Sequence, residues 1–309
     1  MKIAVFGAGG VGGYFGGRLA QAGADVHLLA RGDHLDALRE NGLRVESVDG
    51  DFSVELPATD DPADVGACDC VLFTVKSYDT ESAAAALDPL LDEETAVISL
   101  QNGVDNEEIL ADAVGPEHVM GGASYIFSTI AEPGVVEHTG GPTSFTFGEL
   151  DGRRSDRGER FLEVCERAEG MDADFSEAVR TDIWEKAAFI CAQAGMTASV
   201  RLPLGDVRET AESWRMYRRI VEEVCRVGRA EGVEIPDDAV DRWMDLAAGL
   251  DADSYSSLHY DMTNGNRMEL DGLHGAVVER AREHDVDVPA TESVYAILRP
   301  WADRNERSE

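Results

Sequence analysis

Hydrophobic positions change their rhythm a little past the middle of the chain. Before that point, short apolar runs alternate with helical stretches. Lys2–Phe6 is an apolar run that ends in glycines, Tyr14–Ala22 has helical character, Asp25–Ala30 reads as a second strand, and Asp33–Asn41 as a helix closed by Gly42. Cys70–Val75 and Ala96–Leu100 are almost continuously apolar, the pattern of strands covered on both faces in a parallel sheet. Val119–Phe127, Gly134–His138 and Ser144–Phe147 are rich in β-branched and aromatic residues broken by Gly and Pro, and read as later strands of the same domain. The polar segment Asp151–Gly158 reads as a loop or turn. From about Val179 strand signals disappear. Asp182–Val200, Thr210–Glu231, Asp237–Leu250 and His274–His284 carry helical spacing, and Thr291–Arg299 adds a short final helix. The pattern predicts an α/β protein: an N-terminal Rossmann-type doubly wound sheet over residues 1–178, then an all-helical domain over 179–309.

The glycines after the first strand carry the first chemistry. Gly7-Ala8-Gly9-Gly10-Val11-Gly12 fits G-x-G-x-x-G, follows a strand and opens a helix. In that context the glycines allow a tight turn and a close backbone approach to a pyrophosphate held at the helix's positive end. The motif alone is weak evidence; strand, loop and helix together are much stronger. Gly13, Gly16 and Gly17 read as close helix–sheet packing. An NAD site places Asp or Glu at the end of the second strand. Here that strand ends Leu28-Leu29-Ala30-Arg31, and a guanidinium at that point suits the 2′-phosphate of NADP. Asp33 close by leaves use of NAD open.

Composition narrows the classes of function. Among 309 residues, 27 Lys and Arg face 61 Asp and Glu, a net charge of −34, while 43% hydrophobic residues suffice for a packed core. So negative a field repels phosphate backbones and anionic lipid, which argues against nucleic-acid and membrane partners. The cations are almost all arginine; the lysines are Lys2, Lys76 and Lys186. Acid nearly everywhere with scarce lysine fits a halophilic protein, because at 1 M salt the Debye length falls to about 3 Å and self-repulsion is suppressed. Five scattered cysteines include no CxxC pair, so neither a metal site nor a disulfide framework is expected. The start has no signal-peptide pattern and the longest apolar run, around Ala187–Ala192, is far too short to span a bilayer, which places the protein in the cytoplasm. Lys76 follows the strand Cys70–Val75 at the ligand-binding edge of a doubly wound sheet, Gln101-Asn102-Gly103 follows Ala96–Leu100 at the same edge, and Lys186 opens the first long helix of the second half.

Taken together, these segments resemble the ketopantoate reductase (2-dehydropantoate 2-reductase) family over nearly the whole chain. The resemblance rests on the opening KIAVFGAGGVGGYFGGRLAQAGADVHLLAR, on VKSYDT, LQNGVDN, PGVVEHTG, WEKAAF with RLPLGD, and on SSLHYDMTNGNRMELDGLHGAVVERAREHDVDVP. The last stretch is the most specific, since its paired serines, Asp261, Glu269 and Gly275 keep the family's spacing. The resemblance implies hydride transfer from NADPH to the C2 carbonyl of a 2-oxo acid, on the route to pantothenate and coenzyme A. It implies that Lys186 is the general acid and that Glu269 orients the lysine or the substrate hydroxyl. Ser257 would contact the substrate carboxylate, Asn102 would touch cofactor and substrate, Lys76 would help hold the anionic ligands, and His138 reads as structural. A homodimer is compatible with the apolar helical half. One departure concerns the substrate: the family's two asparagines, four and eight residues beyond the lysine, are Ile190 and Ala194 here. Gln193 and Cys191 are nearby polar residues that lie off that spacing. A reductase of another, bulkier 2-oxo acid is therefore an alternative, and a non-catalytic NADP(H)-binding redox sensor a more distant one.

Overall fold

Parallel strands buried on both faces form the centre of the first of two units into which the chain divides. In the computed structural model the described residues are 1–307. The first unit comprises Met1–Gln101 and Asn106–Val179; the second comprises Asn102–Asp105 and the chain from Arg180 onward. Among the described residues the first unit holds β1 (Lys2–Phe6), β2 (Asp25–Leu29), β3 (Leu43–Ser47), β4 (Phe52–Val54), β5 (Ala58–Thr59), β6 (Cys70–Phe73), β7 (Ala96–Ser99), β8 (Val119–Glu132), β9 (Val135–Glu149) and β10 (Asp172–Phe175). They form one sheet in the order β4-β3-β9-β8-β7-β6-β1-β2-β5, with β10 added to β9. The connecting helices are α1 (Gly10–Gln21), α2 (Gly32–Asn41), α3 (Pro62–Val65), α4 (Thr80–Ala84), α5 (Asn106–Val114) and α6 (Asp156–Cys165).

The two-residue side-chain period of a strand explains the near-continuous apolar runs. Ile3, Val5, Leu72 and Ile98 enter the core on one face, while Ala4, Val71, Phe73 and Val97 enter a separate core on the other. Phe6 pairs with both Leu29 and Phe73, and Phe73 with Ser99, so the C-terminal ends of β2, β1, β6 and β7 finish level at one edge.

The later strands differ from expectation. The segments read as separate strands between 119 and 147 form a single antiparallel hairpin, β8 with β9, whose register shifts near Tyr125–Ser128 where the pattern breaks. β9 also runs parallel to β3 and β10, which makes the sheet mixed. The segment 151–158 is a loop only as far as Ser155. Ser155 accepts a hydrogen bond from the Gly158 N–H and starts α6, whose Phe161, Val164 and Cys165 face the core.

The second unit contains α7 (Val179–Val200), α8 (Leu204–Glu209), α9 (Ala211–Ala230), α10 (Ala239–Gly249), α11 (Ser257–Asn264), a π-helical turn (Asp271–Gly275), α12 (Ala276–Glu283) and α13 (Pro289–Glu306). α7 is buried on nearly every side from Trp184 to Ala198, as befits the central helix of an all-helical unit. α9 buries one stripe, with Tyr217, Ile220, Val221, Val224 and Val227 inward. Glu223, on the same stripe, is fully buried and accepts from the Ala290 and Thr291 amides and the Thr291 hydroxyl, which caps the first turn of α13. α13 continues through Pro300 to Glu306, seven residues beyond its expected end at Arg299. Among the described residues, no helix is long and apolar enough to cross a membrane.

Candidate active site

In the first unit, three of the expected cofactor segments leave neighbouring strands at one edge: Gly7–Gly12 after β1, Arg31 after β2 and Lys76 after β6. The glycine loop is tightly held. The Gly7 and Ala8 amides both donate to the Leu29 carbonyl, and the Thr74 hydroxyl donates to the Gly7 carbonyl at 2.7 Å. His34 Nε2 donates to the Ala8 carbonyl at 2.8 Å while its Nδ1 accepts from the Gly134 amide, so this ring ties the loop to the β8–β9 turn. Burial holds the His34 ring below the ordinary imidazole range.

The glycines serve two different needs. A Cβ on Gly10 would stand 2.4 Å from the Ser128 carbonyl oxygen, so this glycine is required by the protein itself. Gly9 differs. Its φ is −79°, a value open to any residue, and its nearest neighbour to an added Cβ is 4.0 Å away. Nothing in the protein asks for glycine there; a ligand brought against the backbone does. Val11 and Gly12 lie in the first turn of α1, which has no side-chain cap, so its amides would be open to an anionic group at the positive end of the helix. The residues thus fit a dinucleotide. Arg31 is exposed and extended at the start of α2, and Lys76 is exposed at the start of the short turn Ser77–Asp79. Gln101, placed by the sequence at this edge but given no role, donates its side-chain amide to the Val75 carbonyl and to Thr80 Oγ1 and so fixes the strand end that carries Lys76.

The second unit collects Lys186, Glu269, Ser257 and Asn102. Lys186 lies in the second turn of α7 and is only 5% exposed. The preceding Glu185 sets the helix's rotation: the Arg242 guanidinium reaches both its carboxylate oxygens at 2.9 Å, and Trp243 Nε1 donates at 3.1 Å. Glu269 is buried at the turn that leads into the π-helical segment. The paired serines divide their roles. Ser256 is the N-cap of α11, accepting from the His259 amide and sharing a hydrogen bond with Thr197 of α7. Ser257 is exposed at the first position of that helix, and its hydroxyl bonds to no described residue. Asn102 belongs to this unit through the segment Asn102–Asp105, which Arg280 of α12 anchors by a 2.6 Å bond to Asp105 while also reaching Glu231. Arg280 and Asp105 are 175 residues apart, and no sequence pattern links them. His138 is buried in the first unit between Ser47 and the Gly140 carbonyl, against the Tyr14 ring.

The helix face beyond Lys186 needs one correction. Gln193 follows it by seven residues, which on an α-helix is two turns less about 20°; Ala194 is about 80° off. Gln193 therefore lies nearer the line of Lys186 than Ala194 does, although it misses the four-residue spacing.

An oxidoreductase built on a dinucleotide-binding fold is the class that this architecture defines. The two units match in turn the family models described as "Ketopantoate reductase PanE/ApbA", over residues 3–152, and "Ketopantoate reductase PanE/ApbA C terminal", over residues 178–302. The chain belongs to the ketopantoate reductase family. It is 36% identical to 2-dehydropantoate 2-reductase of Halobacterium salinarum over 97% of this chain and 98% of that protein. It is 35% identical to the uncharacterized oxidoreductase YkpB of Bacillus subtilis, over 97% and 99%. A crystal structure of a PanE/ApbA family ketopantoate reductase from Ralstonia eutropha superposes with a TM-score of 0.90 at 35% identity, covering 99% of this chain and 100% of that one.

Proposed function

We propose that the protein reduces 2-dehydropantoate to pantoate with NADPH, on the route to pantothenate and coenzyme A. The observation that carries this reading is Lys186: a lysine in a chain with only three, 95% buried on the central helix and set by the clamped Glu185. Gly7–Gly12 would hold the pyrophosphate, with Arg31 at the 2′-phosphate and Lys76 and Asn102 beside the ligands. Bound there, the reduced nicotinamide supplies the hydride that C2 of the 2-oxo acid accepts. As negative charge grows on the carbonyl oxygen, the Lys186 ammonium stabilises it and then gives it a proton, leaving a neutral amine. Glu269 orients the lysine or the new hydroxyl, and Ser257, at the start of α11, binds the substrate carboxylate. Lys186, Glu269 and Ser257 together support an enzyme over a redox sensor, which needs only the loop and Arg31.

A second reading, another 2-oxo acid as substrate, is favoured by Ile190 and Ala194. The test is NADPH oxidation with a panel of 2-oxo acids in multimolar KCl. Activity with 2-dehydropantoate above the rest is expected; activity confined to another member replaces the first reading with the second.

A further inference from the structure

Thr80 opens α4 and is only 1% exposed, and its hydroxyl is used in both directions. It accepts from Gln101 Nε2 at 2.8 Å and donates to Asn106 Oδ1 at 3.4 Å. Gln101 and Asn106 are the two residues that flank Asn102–Asp105, so a single buried hydroxyl joins the stems of that short loop. The Gln101 amide has one orientation. Its oxygen accepts from the Ser99 hydroxyl at 3.4 Å, and its nitrogen also donates to the Val75 carbonyl at 2.9 Å. Between the stems the chain turns at Gly103, whose φ of +119° favours glycine. Asn102 is one peptide bond from Gln101, so its place follows from that of the stem. Valine has the shape of threonine but can neither donate nor accept, and at position 80 it would leave a buried Gln101 N–H without its acceptor.

We infer that Thr80 is a positioning residue for the reduction: its hydroxyl joins the stems of the loop and so holds Asn102 in place against cofactor and substrate. The inference rests on the proposed reductase activity and on the part given there to Asn102. Thr80 is buried and does not itself meet the ligands; it acts through Gln101, Asn106 and the four residues they enclose. A displacement of about 1 Å at a reacting centre, caused by a change remote from it, lowers a rate by up to about a hundredfold, so a hydroxyl at this distance can matter to the chemistry.

The test is NADPH-dependent reduction of the 2-oxo acid that the wild type turns over best. Thr80→Val keeps the shape and removes the hydroxyl, and kcat/KM should fall about tenfold, the order of a small misplacement. Thr80→Ser keeps the hydroxyl and should stay within about twofold of the wild type. In an Asn102→Ala background the loss from Thr80→Val should shrink below about twofold, since the group it places is gone. Gln101→Met removes the donor from the other side; it should repeat the loss and its disappearance, and it serves if Thr80→Val does not fold. An equal loss with and without Asn102, no loss in the wild type, or a Thr80→Ser loss as large as that of Thr80→Val overturns the inference. So does full activity in Asn102→Ala, while leaving the reductase reading standing. Failure of the wild type to reduce any 2-oxo acid overturns that reading and this inference together.

Discussion

His274 Nε2 donates to the Cys191 carbonyl at 2.9 Å, a bond that fastens the π-helical turn after Glu269 to the middle of α7. A carbonyl only accepts, so the proton sits on Nε2 and leaves Nδ1 buried and bare. Gly195 makes the room: a Cβ there would lie 2.6 Å from the ring. The elements that carry Lys186 and Glu269 are thus joined by a neutral imidazole, each bond end lying five residues beyond one of them.

That neutral ring makes stability pH-dependent. Burial pushes the His274 pKa down from 6.5 to about 4. The unfolded chain therefore takes up this proton at a higher pH than the folded one, and the contribution is whole above pH 6.5 and lost as pH falls toward 4. Between pH 7 and 4, the unfolding free energy of the wild type should fall by about 3 kcal/mol more than that of His274→Gln. Denaturant curves of both proteins at the two pH values measure this; a parallel fall would mean that the ring titrates normally.

The two kinds of glycine in the loop should respond differently to alanine. Gly10→Ala drives a methyl into the Ser128 backbone and should destabilise by about 1–3 kcal/mol. Gly9→Ala should leave the melting temperature unchanged but weaken NADPH binding by about tenfold or more. Thermal melts beside fluorescence titrations separate them, and full NADPH affinity in Gly9→Ala would remove the pyrophosphate from that position.

Arg31→Ala should raise the KM for NADPH by about tenfold to a hundredfold, the range of a lost charge-assisted hydrogen bond. The KM for NADH should change little. Steady-state kinetics with both cofactors decides it, and a wild-type preference for NADH would refute the role given to Arg31.

Lys186→Ala should lower kcat by about 10²–10⁴ while leaving the NADPH dissociation constant nearly unchanged. Single-turnover rates and binding titrations make the comparison. Undiminished turnover would remove the proton donor.

The charge of −34 sets an expectation for the whole molecule. Unfolding should need more denaturant in multimolar KCl than in dilute buffer, as screening relieves self-repulsion. Equal midpoints in both would contradict the halophilic reading.

Much of this was legible in the residues, for physical reasons. β1, β6 and β7 are buried on both faces, so their runs are apolar throughout and stand out. The hairpin β8–β9 was seen only in pieces, because its far end is exposed, with Phe127 and Ile130 on the surface and turn residues inside it. α11 is short and rests on its Ser256 cap and on Gly265 in the left-handed conformation at its end, signals weaker than an apolar stripe. The final helix was read as ending at Arg299, yet the preceding turns of α13 are held by Glu223 and by packing, and the helix continues through Pro300. Lys186 and the glycine loop were visible as motifs. Gln193 was named but set off the face of Lys186, because seven residues fall outside a four-residue count, and Arg280 was missed because its partner Asp105 is distant in the chain.

The segment Asn102–Asp105 has a consequence for inheritance. The chain leaves the first unit after Gln101, returns at Asn106 and leaves again at Arg180, so it crosses between units three times. No single cut yields two complete halves: a fragment ending near residue 178 carries a loop whose anchor, Arg280, lies on the missing piece. Recombination that exchanged only the helical half would have to supply an arginine matching Asp105 at that place on α12. The two halves of this protein are therefore bound to evolve as a pair, even though each has its own core.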